Sequence, residues 1–405
     1  MSTVHRAVVA AMALLATSAS AEKKYDPGAS DTEIRIGQTM PYSGPASAYG
    51  TIGRVEAAYF RKINDQGGVN GRKLNLISAD DAYNPSKTVE MTRKLVEQDE
   101  VLFTFQQLGT GPNTAVQKYL NGKKVPQLFV ASGASKWNDP RGNPWTMGWQ
   151  PNYQTEGMIY ARHILQTKPG ARIAVLMQND DYGRDYLKGF KDGLGDKAAK
   201  MIVAEATYEV TDPTIDSQIV SLKASGADVF FDIATPKAAA QAIRKAYDSG
   251  WKPVHYLNTV SSSVGAVLTP AGLDKSVGII SATYLKDPSD PEWAHDPAIE
   301  EWTTFMKKYY PEGNLADYLN VFGYAAAQTL VQVLKACGDN LTRENVMRQA
   351  ASLKSFRTGV MLPGVSIDTS PTQFAPIRGV QLQRFNGKQW ERFGTLMDAG
   401  GSRPQ

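Results

Sequence analysis

The side chains of this 405-residue chain that could do chemistry are few and scattered. His5, His163, His255 and His295 have no second ligand type at metal-site spacing beside them, so the usual signature of a metal centre is missing. Ser132, in Ala131-Ser132-Gly133-Ala134-Ser135, sits in no Gly-x-Ser-x-Gly elbow and has no recognisable base in sequence. A hydrolase built on Ser132 would need a base brought close in space, and it stands as the alternative from another class. Gly109-Thr110-Gly111-Pro112-Asn113-Thr114 opens like a dinucleotide loop but lacks the third glycine, and Pro112 stiffens its turn. No Gly-x-x-x-x-Gly-Lys-Ser/Thr loop occurs, which excludes the ATPase of a transporter. Neither a cofactor nor an enzyme activity is expected.

What these segments can do is bind. The Gly109 to Gly111 loop follows one expected strand and the Ala131 to Ser135 loop follows the next. In open α/β sheets that edge holds ligands, because loops diverge there and helix starts aim N–H groups into the crevice. Backbone N–H groups beside hydroxyls suit a carboxylate. The plainer reading is that the glycines make tight turns and Ser132 caps a helix.

Alternating strand and helix signals must position these loops. Strands are expected at Ile34 to Thr39, Leu74 to Ala79, Val101 to Phe105 and Pro126 to Val130, with helices after each of the first three, the third from about Asn113. A second series has strands at Ile173 to Met177, Met201 to Glu205, Val229 to Ile233 and Val254 to Leu257, with helices near 153–166, 182–194, 215–224 and 236–249. Helices near 297–309, 317–336 and 343–352 have no strand partners of their own and are expected to pack on the first series. Gly379 to Phe393 alternates around Asn386-Gly387, a hairpin signal. The fold class is therefore α/β, with two doubly wound parallel-sheet lobes.

Residues 1–21 read as a secretory signal: His5 and Arg6, an apolar run from Ala7 to Ala16, and Ala19-Ser20-Ala21 for cleavage. That run is too short to cross a bilayer, which takes about 20 apolar residues. No membrane insertion is expected, and the mature protein should be periplasmic. Cys337 is the single cysteine, leaving no disulfide partner and no lipid acceptor near the new N-terminus. Without Arg6, Lys+Arg falls from 44 to 43 against 40 Asp+Glu, a balance that argues against nucleic acid as a partner.

The order Pro41-Tyr42-Ser43-Gly44-Pro45, Ala48-Tyr49-Gly50, Asn64-Asp65-Gln66-Gly67-Gly68-Val69-Asn70-Gly71 and Asp80-Asp81-Ala82-Tyr83-Asn84-Pro85 resembles the amino-terminal lobe of periplasmic binding proteins that feed branched-chain-amino-acid-type ABC importers. The resemblance spans the mature chain. It implies three hinge crossovers, near Met147 to Pro151, Ser281 to Leu285 and Val360 to Pro363, hence a first lobe of 22–148 plus 283–359 and a second of 149–282 plus 360–405. It also implies a monomer that captures a small molecule and delivers it to an inner-membrane ABC permease, or as a sensor subunit to a receptor.

By the same resemblance the ligand carboxylate falls to Gly109 or Thr110 and to Ala131, Ser132, Gly133 and Ala134. Tyr49, Tyr182 and Tyr318 supply aromatic cover, and Ala234 or Thr235 takes the place of a ligand-contacting tyrosine. For Tyr49 and Tyr318 a core-packing role is the plain alternative. Amino-acid binders of the family place an acid after the strand at Val254 to Leu257. Here Asn258-Thr259-Val260-Ser261-Ser262-Ser263 carries none, with Val260 and Ser261 left to face the ligand. An unpaired buried ammonium costs several kcal/mol, so the expected ligand is an aromatic or phenylpropanoid acid, with a branched-chain amino acid or amide as the alternative. The segments Pro126 to Ala134 and Thr283 to Pro288 look similar to relatives assigned to such acids.

Overall fold

A computed structural model describes residues 23–398 and 401–402; the expected signal at 1–21 lies outside them. The alternation in sequence becomes two large sheets, beside a two-stranded one that pairs Lys24–Tyr25 with Asn340–Leu341. The first is five-stranded and parallel, ordered Lys73–Asp80, Glu33–Met40, Phe103–Phe105, Gln127–Val130 and Thr146–Gly148. The second is eight-stranded. Ile202–Tyr208, Ile173–Gln178, Val229–Ile233, Val254–Leu257 and Ile280–Thr283 run parallel in that order, and the hairpin of Val380–Phe385 and Trp390–Asp398 then adds antiparallel, with Gly401–Ser402 at the edge. The hairpin is where Asn386-Gly387 placed it, but its turn takes four residues, closed by the Asn386 side chain accepting from the N–H groups of Lys388 and Gln389.

The chain passes from the first sheet to the second after Gly148, leaves the second after Thr283 for helices that pack on the first, and rejoins it at Val380. Ile280–Thr283 is a strand inside the second sheet, whereas the sequence reading took the segment from Ser281 as crossover only. The late helices do pack on the first lobe. Tyr318–Cys337 lies along Gly50–Asp65, with the Thr51 hydroxyl donating to Asn320 at 2.6 Å, and Tyr59 packs edge-on against Phe305 and Tyr324. Arg343, at the start of the helix Arg343–Ala350, donates to the carbonyls of Val101 and Leu102, each at 2.9 Å.

One close helix crossing governs the site. The helices Tyr153–Thr167 and Asp181–Leu194 meet at glycines: a Cβ on Gly189 would lie 2.1 Å from the Gln154 carbonyl oxygen, and one on Gly157 would lie 2.6 Å from that of Tyr186. This approach stacks Tyr153 on Tyr186, centroids 4.4 Å apart, and brings Glu156 within reach of the Tyr186 hydroxyl.

Candidate functional site

The carboxyl edges of the two sheets face each other across a cleft lined from both sides. From the first lobe come Tyr49, Ile52, Tyr83, Leu108, Gly109, Thr110 and Ala131, joined by Tyr318, Leu319 and Phe322. The second lobe and the crossovers contribute Gln150, Tyr153, Glu156, Tyr182, Thr235, Thr259, Val260 and Tyr284. Among these described residues there is no lysine, arginine or histidine, one carboxyl group, and a preponderance of tyrosine.

Two features shape the first-lobe wall. Gly109 has φ +99, and a Cβ there would lie 2.5 Å from the Tyr83 ring, so glycine is required both for the backbone and for the space. The helix Thr110–Lys123 follows directly, three residues earlier than the sequence suggested. No side chain caps it; Pro112 has no N–H and the Asn113 N–H bonds the Gly109 carbonyl at 3.2 Å, so the N–H groups left without a side-chain cap are those of Thr110 and Gly111. Asn113 braces the loop by donating to the carbonyls of Gln107 and Gly109, both at 2.7 Å. Tyr83 reaches the cavity because Ala82 and Tyr83 both adopt positive φ, +51 and +61, a costly conformation outside glycine. The Asp81 side chain holds that turn by accepting from the Tyr83 N–H and the Thr88 hydroxyl.

The second-lobe wall is built differently. Asp180 caps the helix Asp181–Leu194 through the N–H groups of Tyr182 and Gly183. The Tyr182 hydroxyl donates to the Asn258 amide oxygen at 2.5 Å, and the amide nitrogen donates to the carbonyls of Ala234 and Asp232. Thr235 starts the helix Pro236–Asp248 and donates its N–H to the Tyr208 hydroxyl at 2.9 Å. Glu156 accepts from the Thr259 N–H at 2.7 Å and from the hydroxyls of Tyr160 and Tyr186, each at 2.8 Å. Burial pushes its pKa up against these three donors.

Of the residues singled out in the sequence, Tyr49, Gly109, Thr110, Ala131, Tyr182, Thr235, Val260 and Tyr318 stand on the wall. Ser132, Gly133, Ala134, Ala234 and Ser261 lie behind it. The Ser132 hydroxyl bonds that of Thr110 at 2.7 Å and accepts from Trp137 Nε1 at 2.9 Å and the Ala134 N–H at 3.3 Å. Gly133 accepts from the Tyr153 N–H at 2.8 Å and leaves room for the Pro151 carbonyl. Ala234 accepts the Ser261 hydroxyl at 2.5 Å, and Tyr49 faces that same hydroxyl.

Sequence reasoning passed over Tyr83, Tyr153, Glu156 and Tyr284. Glu156 matters most, because it bonds the Thr259 N–H and so places an acid beside the 258–263 segment that has none of its own. Its signal was faint: a glutamate in the first turn of the first helix after a crossover.

No group of three His, Cys, Asp or Glu side chains gathers at metal distance among the described residues, and no described helix is long and apolar enough to cross a membrane. The family model described as "Periplasmic binding protein" matches residues 33–389. The "Leu/Ile/Val-binding protein homolog 1" of Brucella abortus (strain 2308) is 25% identical over 324 residues, 78% of this chain and 82% of the relative. Two solved structures share the fold: a branched chain amino acid ABC transporter protein from Thermus thermophilus with bound valine, at TM-score 0.81 and 19% identity over 91% of this chain and 97% of the other, and a fatty acid ABC transporter substrate-binding protein from Thermomonospora curvata, at TM-score 0.77 and 22% identity over 93% and 95%. The chain belongs to the periplasmic binding proteins, a family of substrate-binding proteins rather than enzymes that work with ABC permeases.

Proposed function

We propose that this protein captures a small aromatic or phenylpropanoid carboxylic acid between its lobes, residues 22–148 plus 283–359 and 149–282 plus 360–405, and delivers it as a monomer to an inner-membrane permease after export by its signal. The observation that carries the ligand class is the uncapped start of the helix Thr110–Lys123 facing a tyrosine-rich wall without a side-chain cation. Backbone N–H groups and the helix dipole favour an anion there. The rings offer apolar area and edge or face contacts to an aromatic body. Glu156 already holds three donors, so the wall presents a carboxylate with donors at one loop and requires no charge on the ligand's other end.

Contacts between the lobes support capture by closure. Lys136 pairs with Asp181 at 2.6 Å, Ser135 donates to Asp185 at 2.7 Å, and the Ser263 hydroxyl donates to Asp317 at 2.8 Å. Ligand drives closure only through its greater affinity for the closed state, and saturating ligand should therefore shrink the radius of gyration in solution scattering.

A branched-chain amino acid is the second reading, favoured by Glu156 as a partner for an ammonium and by the name of the Brucella relative. Calorimetry on protein refolded after denaturation separates the two. Benzoate- and cinnamate-type acids should bind more tightly than leucine, isoleucine or valine. Tight leucine binding with no response to the aromatic acids would defeat the first reading and install the second.

A further inference from the structure

Resting on the aromatic-carboxylate reading, we infer that Tyr318 is a specificity-determining residue: its hydroxyl, with Tyr284 and Glu156 beside it, takes a ring hydroxyl of the ligand, so that hydroxylated aromatic acids are preferred over their unsubstituted parents. Tyr318 lines the cavity, is 4% exposed, and its hydroxyl has no hydrogen-bond partner. A buried polar group left so is costly, and phenols in protein interiors ordinarily find a partner. The Thr283 and Tyr284 hydroxyls stand nearby, and Thr283 is engaged with Leu285, donating to its carbonyl at 2.8 Å and accepting from its N–H at 3.3 Å.

The surroundings form a built subsite. Tyr284, 2% exposed, meets Tyr318 edge to face with centroids 6.5 Å apart. Glu156, 3% exposed, lies on the same wall, its carboxylate held by Thr259, Tyr160 and Tyr186. The Tyr318 hydroxyl is left for a group that both donates and accepts. A phenol does both; a second carboxylate only accepts and would face Glu156.

The test is a matched pair, cinnamate and 4-hydroxycinnamate, titrated calorimetrically into refolded full-length protein and into Tyr318→Phe. The wild type should favour the hydroxylated acid by about tenfold or more, the worth of one hydrogen bond in a buried site. In Tyr318→Phe that ratio should fall below about threefold, whatever the substitution does to both affinities together. Equal affinities in the wild type, or a ratio that survives in Tyr318→Phe, would overturn the assignment while leaving the aromatic-acid reading intact. Failure of both acids to bind, with leucine binding, would overturn that underlying reading and the assignment with it.

Discussion

Two helices point their first turns at one cavity from opposite lobes, and they finish those turns in opposite ways. The helix Asp181–Leu194 has its start closed by Asp180, whose carboxylate accepts from Tyr182 and Gly183. The helix Thr110–Lys123 begins at Gly109, which has no side chain to offer. Both starts carry a helix dipole and orphan N–H groups, with one fewer in the first lobe because Pro112 has none. What differs is that one lobe has supplied its own anion and the other has left the place open. A binding protein needs one polar anchor and one cover, and on the proposed reading the anchor is a missing cap.

The substitution that should disturb this contrast most is Gly109→Ala. It forces a side chain into φ +99 and against Tyr83, and strain of this kind costs roughly 1–3 kcal/mol before any clash. Urea denaturation should show that loss, and calorimetry should show carboxylate affinity falling by about a hundredfold as the loop and Tyr83 move. A variant of unchanged stability and affinity would mean that the loop's geometry is irrelevant to the anchor.

A third helix start, Tyr318–Cys337, shows what a buried cap does. Asp317 accepts from the Leu319 N–H at 3.0 Å and from Ser263 of the other lobe, and burial raises its pKa from 3.8 to about 6. A carboxyl whose folded pKa lies above its unfolded one binds its proton more tightly when folded. Its contribution to stability is thus full below about pH 4, falls as pH rises toward 6, and is constant above. Asp317→Asn keeps the cap oxygen and loses the titration, so relative to wild type it should gain about 2–3 kcal/mol between pH 4 and pH 7. A stability difference that stays flat across that interval would refute the assignment.

Ser132→Val probes the second layer of the anchor. Read from sequence, this change removes a ligand contact and spares the fold. The structure gives the Ser132 hydroxyl to Thr110, Trp137 and Ala134 instead. Thermal or urea unfolding should therefore register a loss of about 1–3 kcal/mol, because the buried Trp137 N–H is left without its acceptor. Binding should weaken through a loosened Thr110. Full stability with weakened binding would return Ser132 to the wall.

The fold was legible because strand and helix periods alternate without interruption. The segments read only as crossovers, Thr146–Gly148 and Ile280–Thr283, are strands of three and four residues, too short to show alternation and lodged at the turning points of the chain. Pro112 was read as stiffening a turn, yet it is the third residue of its helix, where no intrahelical N–H is needed. The two donor loops were legible as small residues after strands. Glu156 and Tyr153 were not, since their place depends on the crossing at Gly157 and Gly189, which joins residues from two helices. The inference from an acid-free 258–263 segment was incomplete for the same reason: it compared neighbours in sequence, and the acid beside it, Glu156, arrives from another element.

The smallest expected effect sharpens the comparison from the capped side. Asp180→Ala removes acceptors for Tyr182, Gly183 and the Gln178 amide and should cost about 1 kcal/mol, the usual worth of an N-cap. Asp180→Asn keeps an oxygen over the same N–H groups and should stay within about 0.5 kcal/mol of wild type at neutral pH. Burial raises the Asp180 pKa, so the Asn variant should gain on wild type as pH climbs through the carboxyl's titration, whereas the Ala variant carries the lost cap at every pH. Urea midpoints of the three proteins at pH 4 and pH 7 resolve these terms. Equal stability of Ala and Asn would mean that the Asp180 cap contributes nothing, and the contrast between a filled and an open helix start would lose its energetic basis.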